Sequence, residues 1–100
     1  MVKHIILWQF KDELSDSEKE NIKLNAKKAL ESLEGKIDGL ISIKVIINGL
    51  ASSNAEMMLD SSFESEEALK NYAVHPEHVY AADNFVRPFT KSRSCLDFEV

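Results

Sequence analysis

The chain predicts an α+β domain of β-α-β-β-α-β order. Three observations carry that prediction. Short runs at Val2–Phe10, 40–47, 55–63 and 92–99 have the length and alternation of strands. Between the first two lies a helical apolar stripe of Ile22, Ala26, Ala29, Leu30 and Leu33. Between the last two, Tyr72-Ala-Val-His-Pro-Glu-His78 sets a proline between two histidines and splits the second helical region.

The first strand is apolar on both faces. Val2, His4, Ile6, Trp8 and Phe10 alternate with Lys3, Ile5, Leu7 and Gln9, so both sides should be covered. Ser15-Asp-Ser-Glu18 is a capping box for the first helix, and Gly35 is placed to stop it at C′. Gly39 leads the second strand, and Asn48-Gly49 ends it. In the third strand Ala55, Met57, Leu59 and Phe63 share one face. Ser65 caps a helix over 66–73 with Ala68, Leu69 and Tyr72 inward. Pro76 opens a further helix at its first turn, and Pro88 ends it near Val86. The final strand sets Ser94, Leu96 and Phe98 against Arg93, Cys95, Asp97 and Glu99, with Leu96 expected inward and Cys95 towards a partner copy.

This order is the ferredoxin-like split βαβ arrangement. Helices on one face of four strands leave the other face open. Ile5, Leu7, Ile41, Ile43, Val45, Ile47 and Met58 are expected there, and so many exposed apolar side chains call for a second copy. The expectation is a homodimer built on a two-fold axis.

At 100 residues the chain is expected to form one domain. Apolar residues are 44% and Gly plus Pro only 5 of 100, which excludes a disordered chain. With 12 basic against 17 acidic side chains, the net charge of −5 argues against a nucleic-acid partner. No apolar run approaches the roughly 20 residues of a spanning helix, so no membrane role is expected. The lone Cys95 and the absence of a signal-peptide pattern at the start point to a reducing cytoplasm.

His4, the Phe63-Glu64-Ser65 strand end, Tyr72…His75-Pro-Glu-His78, Arg87 and Asp97-Phe98-Glu99 together resemble the stress-responsive dimeric α/β-barrel (Dabb) domain, across essentially the whole chain. The resemblance implies a ferredoxin-like protomer and a homodimeric barrel. Some plant members are polyketide cyclases in which a Tyr and a His promote an aldol closure, and by motif match those positions are Tyr72 and His78. Other implied readings are a non-catalytic, stress-associated binding or structural dimer, and a cofactor-free monooxygenase.

His78 and Tyr72 are therefore the candidate catalytic pair: a neutral imidazole can take a proton α to a carbonyl, and a phenol can hold the enolate oxygen. The expected ligand is a small hydrophobic or aromatic carbonyl compound. Its pocket, between sheet and helices, is expected to be lined by His4, Ile6, Trp8, Ile22, Met57, Leu59 and His75 as well. Three histidines make a metal held by His75, His78 and either His4 or a carboxylate arithmetically possible, but Pro76 breaks the continuous-helix ligand spacing; neither metal nor haem is expected, and no other cofactor. Cys95 is expected to be a buried, inert thiol, and Asp97 and Arg87 to form ion pairs within the domain. No phosphate-binding loop or nucleophile elbow is present.

Overall fold

A computed structural model describes all 100 residues. The elements run β1 (Val2–Phe10), α1 (Asp16–Glu31), β2 (Leu40–Ile46), β3 (Met57–Phe63), α2 (Glu66–Val74), α3 (Pro76–Phe85), a 3₁₀ turn (Arg87–Phe89) and β4 (Thr90–Glu99). The strands form one antiparallel sheet in the order β2-β3-β1-β4. This is the ferredoxin-like α+β fold, with the helical region between β3 and β4 split at His75-Pro76.

The caps follow the sequence. Ser15 Oγ accepts from the Glu18 amide at 3.2 Å, and the Glu18 carboxylate accepts from the Ser15 amide at 2.9 Å. Ser65 Oγ accepts from the Ala68 amide. His75 ends α2 and caps α3, its Nδ1 accepting from the Glu77 amide at 3.1 Å while Pro76 occupies the first helical turn. The helix α1 ends earlier than Gly35. Its last turn tightens, with Leu33, Glu34 and Lys36 each donating to the carbonyl three residues back, and Gly35 then turns the chain at φ +83.

One core lies between the helices and a single face of the sheet, centred on Phe10, Val45, Leu59, Phe63 and Tyr72. The phases of two strands differ from the sequence reading. In β2 the pairing with β3 shifts between Leu40 and Ser42, so Ile41 is an extra residue and the later side chains reverse. Ile43 and Val45 consequently sit in the core at 5% and 0% exposure rather than on the open face, and Ile47 packs at the core margin. In β4, His4 pairs with Asp97 and Ile6 with Cys95, which turns Cys95 and Asp97 towards the helices and Leu96 outward. The open face carries Ile5, Leu7, Ile46, Met58, Leu96 and Phe98.

Gly39 has φ +83, and a Cβ there would meet Ala68 Cβ at 2.5 Å; Gly35 shares the φ but has open space around it. Gly39→Ala should therefore cost backbone strain plus a clash between the β2 entry and α2, about 2 kcal/mol or more, against about 1 kcal/mol for Gly35→Ala. Urea unfolding of the two variants measures the difference. Equal costs would show that the α2 contact is slack.

Candidate functional site

The cavity lies over the β1–β4 half of the sheet, beneath α2 and α3. It measures about 170 Å³ and is lined by His4, Ile6, Trp8, Leu59, Tyr72 and His78, joined by Leu30, Leu69, Val86, Arg87 and Arg93. That volume suits roughly one aromatic ring, since a cavity of about 150 Å³ holds benzene. A wider groove of about 560 Å³ shares His4, Leu69, Ala73 and Arg93 with it and runs out along β4.

Three of the residues expected here lie elsewhere. Ile22 is on the first half of α1, about 12 Å along the helix axis from Leu30, the α1 residue that does reach the cavity. Met57 is buried on β3 opposite the lining residue Trp8, but it borders a separate cleft with Leu7, Ile46 and Met58 and not this cavity. His75 spends its Nδ1 on the cap between α2 and α3. Leu30, Leu69 and Arg93 were not legible as lining residues, because their approach depends on how the helices cross the sheet.

Tyr72 and His78 meet face to face, with ring centroids 4.1 Å apart and planes tilted by 34°. Phe63 packs at 4.9 Å from Tyr72, and His4 presents an edge at 6.2 Å. Local geometry explains the pairing. Tyr72 lies in the last turn of α2 and His78 in the first turn of α3, and the extended His75 between them folds one helix back on the other. Tyr72 is 1% exposed, yet its hydroxyl finds no hydrogen-bond partner in the protein. Such a group usually costs about 1–3 kcal/mol. Burial holds the phenol well above its ordinary value, outweighing the opposing charge of Arg93, so Tyr72 is a proton donor and not a phenolate.

His78 Nδ1 lies 3.3 Å from the Ala73 carbonyl oxygen. A carbonyl only accepts, so the neutral ring carries its proton on Nδ1 and leaves the Nε2 lone pair free. Burial holds the imidazole below its usual range; the Ala73 bond opposes this, and the charges of Arg87, His4 and Arg93 reinforce it. At neutral pH the pair is a neutral imidazole beside a neutral phenol.

A second cluster lies on the sheet beside the cavity. His4 Nδ1 contacts the Asp97 carboxylate, and the Cys95 thiol lies 3.7 Å from that nitrogen and 3.4 Å from Asp97 Oδ1. Cys95 is exposed, not buried. Its thiol is nonetheless held above the usual range, first by partial desolvation and then by Asp97, so it stays protonated. Arg87 pairs with Asp83 at 2.5 Å.

The chain matches the Stress Responsive A/B Barrel Domain over residues 2–100. A stress-response A/B barrel domain-containing protein of Arabidopsis thaliana is 31% identical over 100 residues, a match that takes in 98% of this chain and 36% of that protein. The chain thus spans about a third of the length of the curated relative it matches. A solved dimeric protein of unknown function with a ferredoxin-like fold, from Bacteroides fragilis, superposes with a TM-score of 0.92 at 34% identity, over 99% of this chain and 95% of that one. The hydroxynitrile lyase of Passiflora edulis superposes with a TM-score of 0.71 at 18% identity, over 97% and 90% of the two chains, a likeness of fold. With the family pattern running from Val2 to the last residue, the chain belongs to the stress responsive A/B barrel domain family.

Proposed function

We propose that this protein binds a small hydrophobic or aromatic carbonyl compound in the cavity and transfers protons on it through His78 and Tyr72, as a lyase, isomerase or cyclase. The observation that carries the reading is the Tyr72 hydroxyl, buried without a protein partner against a neutral imidazole. A hydroxyl kept in that state at a cost to stability is explained by a partner that arrives with the ligand.

In this reading Nε2 of His78 takes a proton from the carbon α to the carbonyl. The electron pair moves to the carbonyl oxygen, and Tyr72 donates a hydrogen bond to the enolate. The imidazolium returns the proton to the product, whether to carbon in an isomerisation or to the alkoxide formed by attack on a second carbonyl. Apolar walls of Ile6, Trp8, Leu30 and Leu59 exclude water and strengthen both interactions. The Passiflora protein of the same fold is a hydroxynitrile lyase, which supports the lyase reading by analogy of fold. The dimeric Bacteroides relative and the apolar open face of the sheet support a homodimer.

The test is a thermal-shift screen of aromatic and polyketide-like carbonyl compounds, followed by turnover assays on those that stabilise the fold. The pH profile of the rate then has a fixed sign. Only neutral His78 accepts a proton, so the rate rises with pH through its pKa and levels off. Burial lowers that pKa, so the acid limb should fall below the value of about 6.5 for a free imidazole. The raised Tyr72 pKa moves any alkaline limb above the ordinary phenol value of 10.0. A limb rising only above neutrality would exclude His78 as the base. Ligands that bind without turnover would leave a binding protein.

A further inference from the structure

We propose that His4, Cys95 and Asp97 form an open three-ligand site for a divalent cation of the zinc class. The cluster is separate from the histidine pair at 75 and 78, and its donors come from two adjacent strands. Asp97 is the cross-strand partner of His4, and Cys95 lies two residues back on the same face of β4. One potential ligand atom from each residue falls within 4.8 Å of the others.

The spacings fit a metal. Zinc bonds of about 2.0–2.1 Å to nitrogen, about 2.0–2.2 Å to oxygen and about 2.3 Å to sulfur, at tetrahedral angles, put the sulfur about 3.6 Å from each of the other two donors. The observed separations are 3.7 Å to Nδ1 and 3.4 Å to Oδ1. The His4–Asp97 contact is shorter than a coordination edge and must open. Asp97 can open it, because its side chain is 45% exposed on the edge strand β4, whereas His4 is held at 8% on the interior strand β1. One rigid donor and two adjustable ones are thus already convergent.

A mixed nitrogen, sulfur and oxygen set favours zinc or cobalt over magnesium or calcium, which take oxygen ligands. Binding would release the thiol proton and move the His4 ring proton from Nδ1 to Nε2, leaving the Nδ1 lone pair for the cation. The three residues line a groove, where Glu66 and Glu99 balance Lys70 and Arg93, and a fourth ligand would enter from it. A cation there would stand beside the proposed acid–base cavity, through the shared His4.

The experiment titrates chelator-treated protein with Zn²⁺ against a chromophoric competitor, and with Co²⁺ followed by absorption. Expected is one cation per chain, with a thiolate-to-cobalt charge-transfer band in the near ultraviolet. Cys95→Ser should abolish that band, and Cys95→Ser and Asp97→Asn should each weaken affinity about 10-fold or more. Both positions are exposed, so circular dichroism should show intact folds. His75→Asn should leave binding unchanged. Absence of saturable binding, a cobalt complex with no thiolate band, or full affinity in both exposed variants would overturn the site. None of these outcomes depends on finding a substrate.

Discussion

His78→Ala should lower kcat by about 10²–10⁴-fold and leave the protein folded, because it removes the proposed base and little of the core. His78 is only partly buried, and its one polar contact is the Ala73 carbonyl at 3.3 Å. Tyr72→Phe should act differently from an ordinary core truncation. It removes the donor to the developing oxyanion, a loss of about 10²–10³-fold in rate, with little change in KM. Its stability should stay level or rise by up to about 1–2 kcal/mol, since the deleted hydroxyl has no protein partner to lose. Urea unfolding and steady-state kinetics on the same preparation read both effects. A Tyr72→Phe protein that is less stable and equally active would make Tyr72 a structural aromatic.

The second large effect separates the two faces of the sheet. Leu7→Glu, at a position 40% exposed on the open face, should shift the proposed homodimer towards monomer while the fold persists. Val45→Glu should instead unfold the protomer, because Val45 is 0% exposed in the core. Burying an unpaired carboxylate there costs several kcal/mol, comparable with the roughly 5–15 kcal/mol that hold a domain together. Sedimentation equilibrium should give about twice the 11.3 kDa chain mass for the parent protein and a concentration-dependent lower value for Leu7→Glu. Circular dichroism should show loss of structure for Val45→Glu only. A monomeric parent would remove the open face as an interface.

Local chemistry was the legible part of the sequence. Caps at Ser15 and Ser65, the Pro76 helix start and the closeness of Tyr72 to His78 all depend on residues a few positions apart. The phase of β2 is hidden because alternating Ile41, Ile43, Val45 and Ile47 looks like one continuous face. The register shift at Ile41 breaks that face, and the polar Ser42 and Lys44 were the signal that their side points outward. The β4 face is hidden for a related reason. Leu96 and Phe98 look like core, but the register of β4 against β1 sets Asp97 opposite His4, and no local pattern states that register. The same gap hid the cluster of His4, Cys95 and Asp97, in which His4 stands more than 90 residues from the other two along the chain. Ile22 and Met57 are apolar and inward-facing like the true lining residues; only the position of α2 and α3 over the sheet decides which inward residues meet.

The most direct measurement on the cavity uses the imidazole resonances of the chain's three histidines during titration with a carbonyl compound that stabilises the fold. His78 and His4 line the cavity, and His75 does not. The His78 and His4 signals should move together along one binding curve, with His75 nearly still, and Tyr72→Phe should weaken the His78 response. A ligand that saturates the protein while shifting only His75, or no histidine at all, would place binding outside the cavity and contradict the Tyr72–His78 site.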